Sequence, residues 1–186
     1  MTLLPTPSAT VGPYLSIGLT WEDGPDAVAR DTPGAIWIRG AVFDGNGDAV
    51  PDALVETWQA DPDGRFDHPD DPRGAARYPG FRGFGRSQTA DGEYAICTVK
   101  PGRIPDDEGG LQAPHLDVSL FARGLLDRVV TRIYFADEAD ANAEDVVLRS
   151  LPDDAARNTL IATPTDDGYR LDFYLQGDRE TVFFAV

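Results

Sequence analysis

The chain has 186 residues, enough for a single domain that buries roughly two-thirds of the surface exposed by its unfolded chain. Its 32 acidic and 16 basic residues give a formal charge of -16, which argues against binding to nucleic acid or to anionic lipid. The only cysteine, Cys97, lies in an alternating apolar run, so we expect a buried free thiol, no disulfides and a reducing compartment.

The N-terminal segment predicts no export or membrane insertion. Residues 1 to 10 lack the basic and apolar regions of a signal peptide, and no stretch approaches the ~20 apolar residues that span a bilayer. We therefore expect a cytoplasmic protein. Three prolines in residues 1–13 prevent a regular strand, so this segment is predicted to be an extended arm, followed by one domain over residues 14–186.

Short runs rich in β-branched and aromatic residues recur along the chain, with Gly, Pro, Asp and Asn between them. The predicted strands are residues 14–20, 35–44, 53–60, 93–100, 115–122, 128–135, 169–176 and 180–186. Eight such runs in one chain predict an all-β fold, an antiparallel β-sandwich with long loops.

Two further segments differ from this pattern. Residues 61–87 form a long loop rich in Gly, Pro, Arg and aromatic residues, a length typical of functional loops. Residues 138–162 form the only predicted helical region, with Ser150 as a possible N-cap and Pro152 in the first helical turn.

Few residues could carry catalysis alone. The chain has no nucleophile elbow and no phosphate-binding loop, and its only imidazoles are His68 and His115. His115 and Asp117 are two residues apart, so on a strand both side chains leave the same face and could form half of a metal site. The alternative is a strand histidine hydrogen-bonded in or near the core.

Five sequence motifs together resemble the intradiol ring-cleavage dioxygenases. They are VETWQADPDGRFDH (55–68), GFGRSQTADGEYAICTVKPG (83–102), APHLDVSLFARG (113–124), TRIYF (131–135) and YRLDFYLQG (169–177). The arm and the C-terminal segment ETVFFAV share the resemblance, which therefore covers most of the chain.

The resemblance implies a ferric site with two tyrosines and two histidines in the iron-binding members of the family. At the matching positions this chain has Phe66, Ile104, His115 and Asp117, so only one of four ligands is retained. The arginine that precedes the histidine pair in those members is Gln112 here. We therefore expect no metal and no catalytic residues in this chain alone, because two ligands without a tyrosinate hold iron poorly.

The resemblance also implies a role for such a chain. It is expected to be the non-iron subunit of an obligate hetero-oligomer, whose homologous β subunit binds Fe(III) and cleaves 3,4-dihydroxybenzoate with O2 to 3-carboxy-cis,cis-muconate. Its arm would line the partner's pocket, which makes Thr10, Gly12, Pro13 and Tyr14 candidate substrate-binding residues. Arg132 is a further candidate, as a fixed cation for the substrate carboxylate.

Other interpretations remain open at this point. Pro13 and Tyr14 could begin a strand that packs an interface, and Arg132 could form an ordinary salt bridge. The whole chain could be a self-sufficient metalloenzyme using His115 and Asp117, or a non-enzymatic β-sandwich that binds or carries a ligand.

Overall fold

The computed structural model describes residues 10, 12, 14–106 and 109–185 of the chain. Its strands are β1 (Ala35–Gly40), β2 (Val42–Phe43), β3 (Leu54–Trp58), β4 (Phe84–Gln88), β5 (Tyr94–Val99), β6 (Ile104–Pro105), β7 (Leu111–Gln112), β8 (His115–Phe121), β9 (Val129–Phe135), β10 (Ile161–Thr165), β11 (Gly168–Arg170) and β12 (Phe173–Tyr174). The helices are short: α1 (Tyr14–Gly18), α2 (Ala139–Glu144), α3 (Val146–Ser150) and α4 (Asp154–Asn158). None of these helices has the length and apolar character needed to cross a membrane.

Eight of the strands form one sheet in the order β4-β3-β8-β9-β10-β11-β1-β5. Most neighbouring strands are antiparallel, but β9 with β10 and β1 with β11 are parallel. The first and last strands of this order approach each other, since the Ala95 amide donates to Ser87 Oγ at 3.0 Å. The sheet therefore folds back on itself as a sandwich, and the predicted all-β class is confirmed.

The main core lies between the two halves of this sheet. Ile38 and Ile96 from one half and Val55, Leu116 and Ile133 from the other belong to the same buried cluster. Along β8 the core-facing Leu116 alternates with side chains that leave the opposite face, as a strand period of two requires. Cys97 on β5 is fully buried, as its apolar surroundings predicted.

The prediction of a strand over residues 14–20 is wrong, because residues 14–18 form helix α1. Tyr14 and Ile17, which are three residues apart, are both strongly exposed. That spacing places them on one side of a helix, and within the described part of the chain no strand pairs with residues 14–20. A β-rich composition therefore did not produce a strand here.

The predicted helical region 138–162 contains three short helices and ends before Ile161, where β10 begins. Ser150 is the last residue of α3, so its predicted role as an N-cap is wrong. The N-cap of α4 is Asp153, whose carboxylate accepts a hydrogen bond from the Ala156 amide at 2.8 Å. A carboxylate suits this position because it accepts the free amides of the first turn.

Three other segments differ from the prediction. In the C-terminal run 180–186 only a single bridge is present, between Phe184 and Val130, and residue 186 lies outside the described residues. Strand β4 begins inside the predicted loop 61–87. Strand β10 was not predicted, because it contains Pro164 and lacks an alternating pattern.

Candidate functional site

The positions that match iron ligands on β8 lie on the face of the sheet that points away from the main core. Strand register places Asp117 directly opposite Trp58 on one side and Arg132 on the other. His115 is opposite Tyr134. Because directly opposed residues share a face, these side chains form one continuous polar and aromatic surface.

His115 is almost completely buried in this surface. Its Nδ1 lies 2.8 Å from the Ala113 carbonyl oxygen, which can only accept, so Nδ1 carries the proton. Burial, with the neighbouring Arg132 charge, lowers the pKa of His115 below its ordinary value, so the imidazole is neutral at neutral pH. Its Nε2 lies 3.8 Å from Asp117 Oδ1, too far for a hydrogen bond.

The guanidinium of Arg132 occupies the centre of the polar surface. Its Nε donates to Asp117 Oδ1 at 2.9 Å, and its Nη1 donates to Gln112 Oε1 at 2.8 Å and to the Tyr134 hydroxyl at 3.2 Å. Burial acts to lower the pKa of Arg132, but Tyr134 and Asp117 outweigh it and the net shift is upward. Arg132 is therefore a fixed cation bound to the carboxylate at one of the ligand positions.

The two positions that match the family's tyrosines are apolar and packed. The Phe66 ring stacks on Trp58, with ring centroids 5.9 Å apart and planes within 7° of parallel. Ile104 on β6 pairs with Gln112 on β7, the residue that accepts from Arg132. The structure thus brings all four degenerate positions around Arg132 and Trp58.

These residues do not fit a ferric ion. Phe66 and Ile104 offer no lone pair, and Asp117 is already bound to a guanidinium whose charge would repel a metal cation. Among residues 10, 12, 14–106 and 109–185, no three His, Cys, Asp or Glu side chains are grouped so as to hold a metal ion. The donor set supplies one imidazole and no free carboxylate.

Tyr134 and Asp145 belong to this network, and sequence reasoning missed both. Asp145, fully buried, lies 3.2 Å from the Tyr134 hydroxyl and accepts the backbone amide of Ala113 at 2.8 Å. It also caps α3 by accepting the amides of Val147 and Leu148. An aspartate before a short apolar helix is a readable capping signal, but its contact with β7–β8 needs the tertiary fold.

The arm lies at a different place. The Thr10 hydroxyl accepts a hydrogen bond from the Gly124 amide at 2.9 Å, beyond the C-terminal end of β8. At about 3.3 Å per residue, the end of β8 at Phe121 is already roughly 13 Å from Asp117. Within this chain the structure therefore does not bring Thr10 and Arg132 into one site.

The other arm candidates are described in part. The Gly12 carbonyl accepts the Leu15 amide at 3.1 Å at the start of α1, and Tyr14 is 80% exposed. Pro13 lies outside the described residues. Arg123 forms an ion pair with Asp52 and immediately precedes Gly124, whose amide binds Thr10. The arginine before the turn glycine in LFARG was the signal for it.

Comparisons with known proteins identify the family of the chain. The model of the Dioxygenase family matches residues 22–177. The alpha chain of protocatechuate 3,4-dioxygenase from Pseudomonas putida is 42% identical over 98% of this chain and 97% of its own length. The beta chain of that enzyme from Burkholderia cepacia is 35% identical over 76% of this chain and 64% of its own.

A solved structure also matches. The dioxygenase domain of a carbohydrate-binding fusion protein from Streptomyces sp. SirexAA-E is 27% identical, with a TM-score of 0.57 over 93% of this chain and 99% of that chain. The chain therefore belongs to the intradiol ring-cleaving dioxygenase family. Enzymes of this family in general use non-haem iron.

Proposed function

We propose that this chain is the α subunit of a protocatechuate 3,4-dioxygenase and works only with an iron-binding β subunit. The complex would add both atoms of O2 to 3,4-dihydroxybenzoate and break the ring bond between its hydroxylated carbons, giving 3-carboxy-cis,cis-muconate. Fe(III) would be held by the partner. We further propose that the complex is cytoplasmic, as expected from the sequence.

One observation carries this proposal: hydrocarbon side chains occupy the two tyrosine positions of the family, and the carboxylate at one histidine position is bound to a guanidinium. Arg132 binds Asp117, and Phe66 stacks on Trp58 where a tyrosinate would be needed. A chain built in this way needs another polypeptide to supply the metal. The match to an α chain over nearly its full length supports the same division between subunits.

The contribution of this chain would be to complete the partner's substrate pocket with its arm. The ring carboxylate of the substrate must leave water, which is costly unless donors replace its hydration. We assign that role to Thr10, Gly12, Pro13 and Tyr14, which offer a hydroxyl, close backbone approach, a stiff turn and an exposed ring. The exposed position of Tyr14 supports this assignment.

Arg132 remains a candidate for the substrate carboxylate, but its contacts favour a role within the degenerate site. Its Nε and Nη1 are already bound inside this chain. Arg123, adjacent to the Thr10 contact and 62% exposed, is better placed to follow the arm toward a partner. We therefore propose that Arg123, together with the arm, provides the cation for the substrate carboxylate.

Coexpression tests the proposal. The chain would be produced alone, with the iron-binding β chain of its own source, and with a β chain whose iron ligands are replaced. O2 consumption with 3,4-dihydroxybenzoate is expected only from the complex with the intact β chain. Activity of this chain alone would favour a self-sufficient metalloenzyme, and failure to bind or activate the β chain would favour a carrier module.

A further inference from the structure

Arg86 on β4 joins the sheet to Leu19, at the end of the helix α1 that follows the arm. Its Nε donates to Glu56 Oε1 at 2.8 Å, and its Nη1 donates to the Leu19 carbonyl at 2.9 Å. Glu56 is the residue directly opposite Arg86 on β3, so the guanidinium is bound by the sheet on one side and by Leu19 on the other. Its side chain is only 19% exposed.

Two aromatic rings also contact the same guanidinium. It lies 4.9 Å from the centroid of the Trp21 ring and 5.4 Å from that of Phe84. Trp21 and Phe84 are themselves stacked, with planes within 9° of parallel. A planar guanidinium makes both the ring contacts and the forked hydrogen bonds, which a lysine ammonium cannot reproduce.

The contact with Leu19 acts on the end of helix α1. The Leu19 amide donates to the Leu15 carbonyl at 3.2 Å, and the Leu15 amide donates to the Gly12 carbonyl at 3.1 Å. A cation that binds a carbonyl at the end of a helix satisfies an acceptor that the helix leaves free. A chain of hydrogen bonds therefore connects Arg86 through Leu19 and Leu15 to Gly12.

A second attachment holds the other end of the same segment. Thr10 binds the Gly124 amide, so the stretch from the arm through α1 is held at Thr10 by the turn after β8 and at Leu19 by Arg86. Between these attachments Tyr14 and Ile17 are 80% and 71% exposed. Two attachments with exposed side chains between them fix the direction in which the arm is presented.

We infer that Arg86 is a positioning residue for substrate binding, which sets the location of the arm in the partner's pocket. This inference rests on the proposed function. Arg86 does not contact the substrate in this account. It acts through Leu19 and α1 on Thr10, Gly12 and Tyr14.

The test uses the coexpressed αβ complex with Arg86→Gln and Arg86→Lys. Arg170→Gln is the control, because Arg170 on β11 also forms ion pairs, with Glu93 and Asp172, and neither of these carboxylates belongs to residues 10–19. Kinetics would be measured with 3,4-dihydroxybenzoate and with catechol, which lacks the ring carboxylate. Iron content would be measured in every preparation.

For Arg86→Gln we expect KM for 3,4-dihydroxybenzoate to rise about tenfold, with kcat within about twofold of wild type and iron content unchanged. KM for catechol should change little, because the arm is assigned to the carboxylate. Arg86→Lys should recover part of the loss. Equal changes for both substrates, or loss of iron, would overturn the inference.

Hydrogen exchange gives a second readout that does not depend on activity. The Leu15 and Leu19 amides should exchange faster than in the wild-type complex in both Arg86 variants. Their exchange rates should be unchanged in Arg170→Gln. If Arg86→Gln prevents assembly, Arg86→Lys decides the question, and unchanged exchange at Leu19 in that variant would contradict the inference. An inactive wild-type complex would instead contradict the proposed function, whatever the exchange data show.

Discussion

The Asp117 carboxylate accepts a hydrogen bond from the Arg132 guanidinium at 2.9 Å, across the antiparallel pair of β8 and β9. The resemblance puts a metal-binding histidine at position 117 in iron-binding members of the family. In this chain the Arg132 guanidinium lies next to position 117, and the neutral imidazole of His115 lies on the same face. The carboxylate of the degenerate site is therefore neutralised by Arg132 without a metal ion. These contacts lead to several predictions.

Replacing Arg132 should destabilise the protein, because Asp117, Gln112 and Tyr134 each lose a partner. For Arg132→Gln in the coexpressed complex we expect a loss of about 1–3 kcal/mol, measured as a lower thermal midpoint. Arg128→Gln, which changes an exposed arginine just before β9, is the control and should have little effect. If the two variants unfold at the same temperature, the network is not a stabilising feature.

Adding Asp117→Asn to Arg132→Gln should recover part of this loss, because the partner carboxylate no longer lacks a counter-charge. The recovery would be read from a double-mutant cycle of thermal midpoints. Strict additivity of the two single effects would contradict a direct Asp117–Arg132 interaction.

Replacing Asp145 should cost more than replacing another helix N-cap. Asp145→Ala leaves the amides of Ala113, Val147 and Leu148, two of them buried, without an acceptor, and we expect a loss of at least about 3 kcal/mol. Asp153→Ala, which removes one exposed N-cap contact from α4, should cost about 1 kcal/mol. Thermal unfolding of the two variants side by side tests this difference, and similar losses would contradict the assigned role of Asp145.

The stability of the protein should fall as the pH drops below neutrality, in part because of His115. Its pKa is lower in the folded state than the unfolded value of about 6.5, so below that pH the unfolded chain binds a proton that the folded chain does not. Stability is therefore fully present above pH 6.5 and is lost as the pH falls from there toward the folded pKa. His115→Gln should flatten the fall between about pH 7 and 5.5.

The matched control for this titration is His68→Gln, which removes the other imidazole of the chain from a side chain that is 53% exposed. Its thermal midpoint should follow the wild-type pH dependence over the same range. A wild-type slope in His115→Gln would show that another group causes the acid sensitivity.

Thr10 should affect substrate use but not metal content. In the complex, Thr10→Val removes the hydroxyl while keeping its shape, and we expect kcat/KM for 3,4-dihydroxybenzoate to fall about tenfold. Thr10→Ser keeps the hydroxyl and should remain close to wild type. Iron analysis accompanies the kinetics, and a loss of iron in Thr10→Val would show that the arm supports the metal site instead of the substrate.

The sequence predicted best the strands that have a face in the main core. The runs that became β3, β5, β8 and β9 were identified because one face of each packs into the core. Alternation could not identify α1, whose apolar residues are exposed, or β10, which contains Pro164. In those segments the neighbouring structure, and not the local pattern, decides the conformation.

The site was predictable only in part for a similar reason. Motif positions located Phe66, Ile104, His115 and Asp117, and the structure brings them together. The contacts of Arg132 with Gln112 and of Asp145 with Ala113 span 20 and 32 residues, and no local pattern encodes them. The hydrogen bond from Arg86 to the Leu19 carbonyl spans 67 residues, so it could likewise be identified only from the folded structure.

Iron analysis of purified proteins tests the central claim most directly. This chain alone and its complex with the β chain would be prepared with equal iron supply, and bound iron would be measured by mass spectrometry. We predict no stoichiometric iron in the chain alone and one iron for each αβ pair in the complex. Stoichiometric iron in the isolated chain would contradict the account.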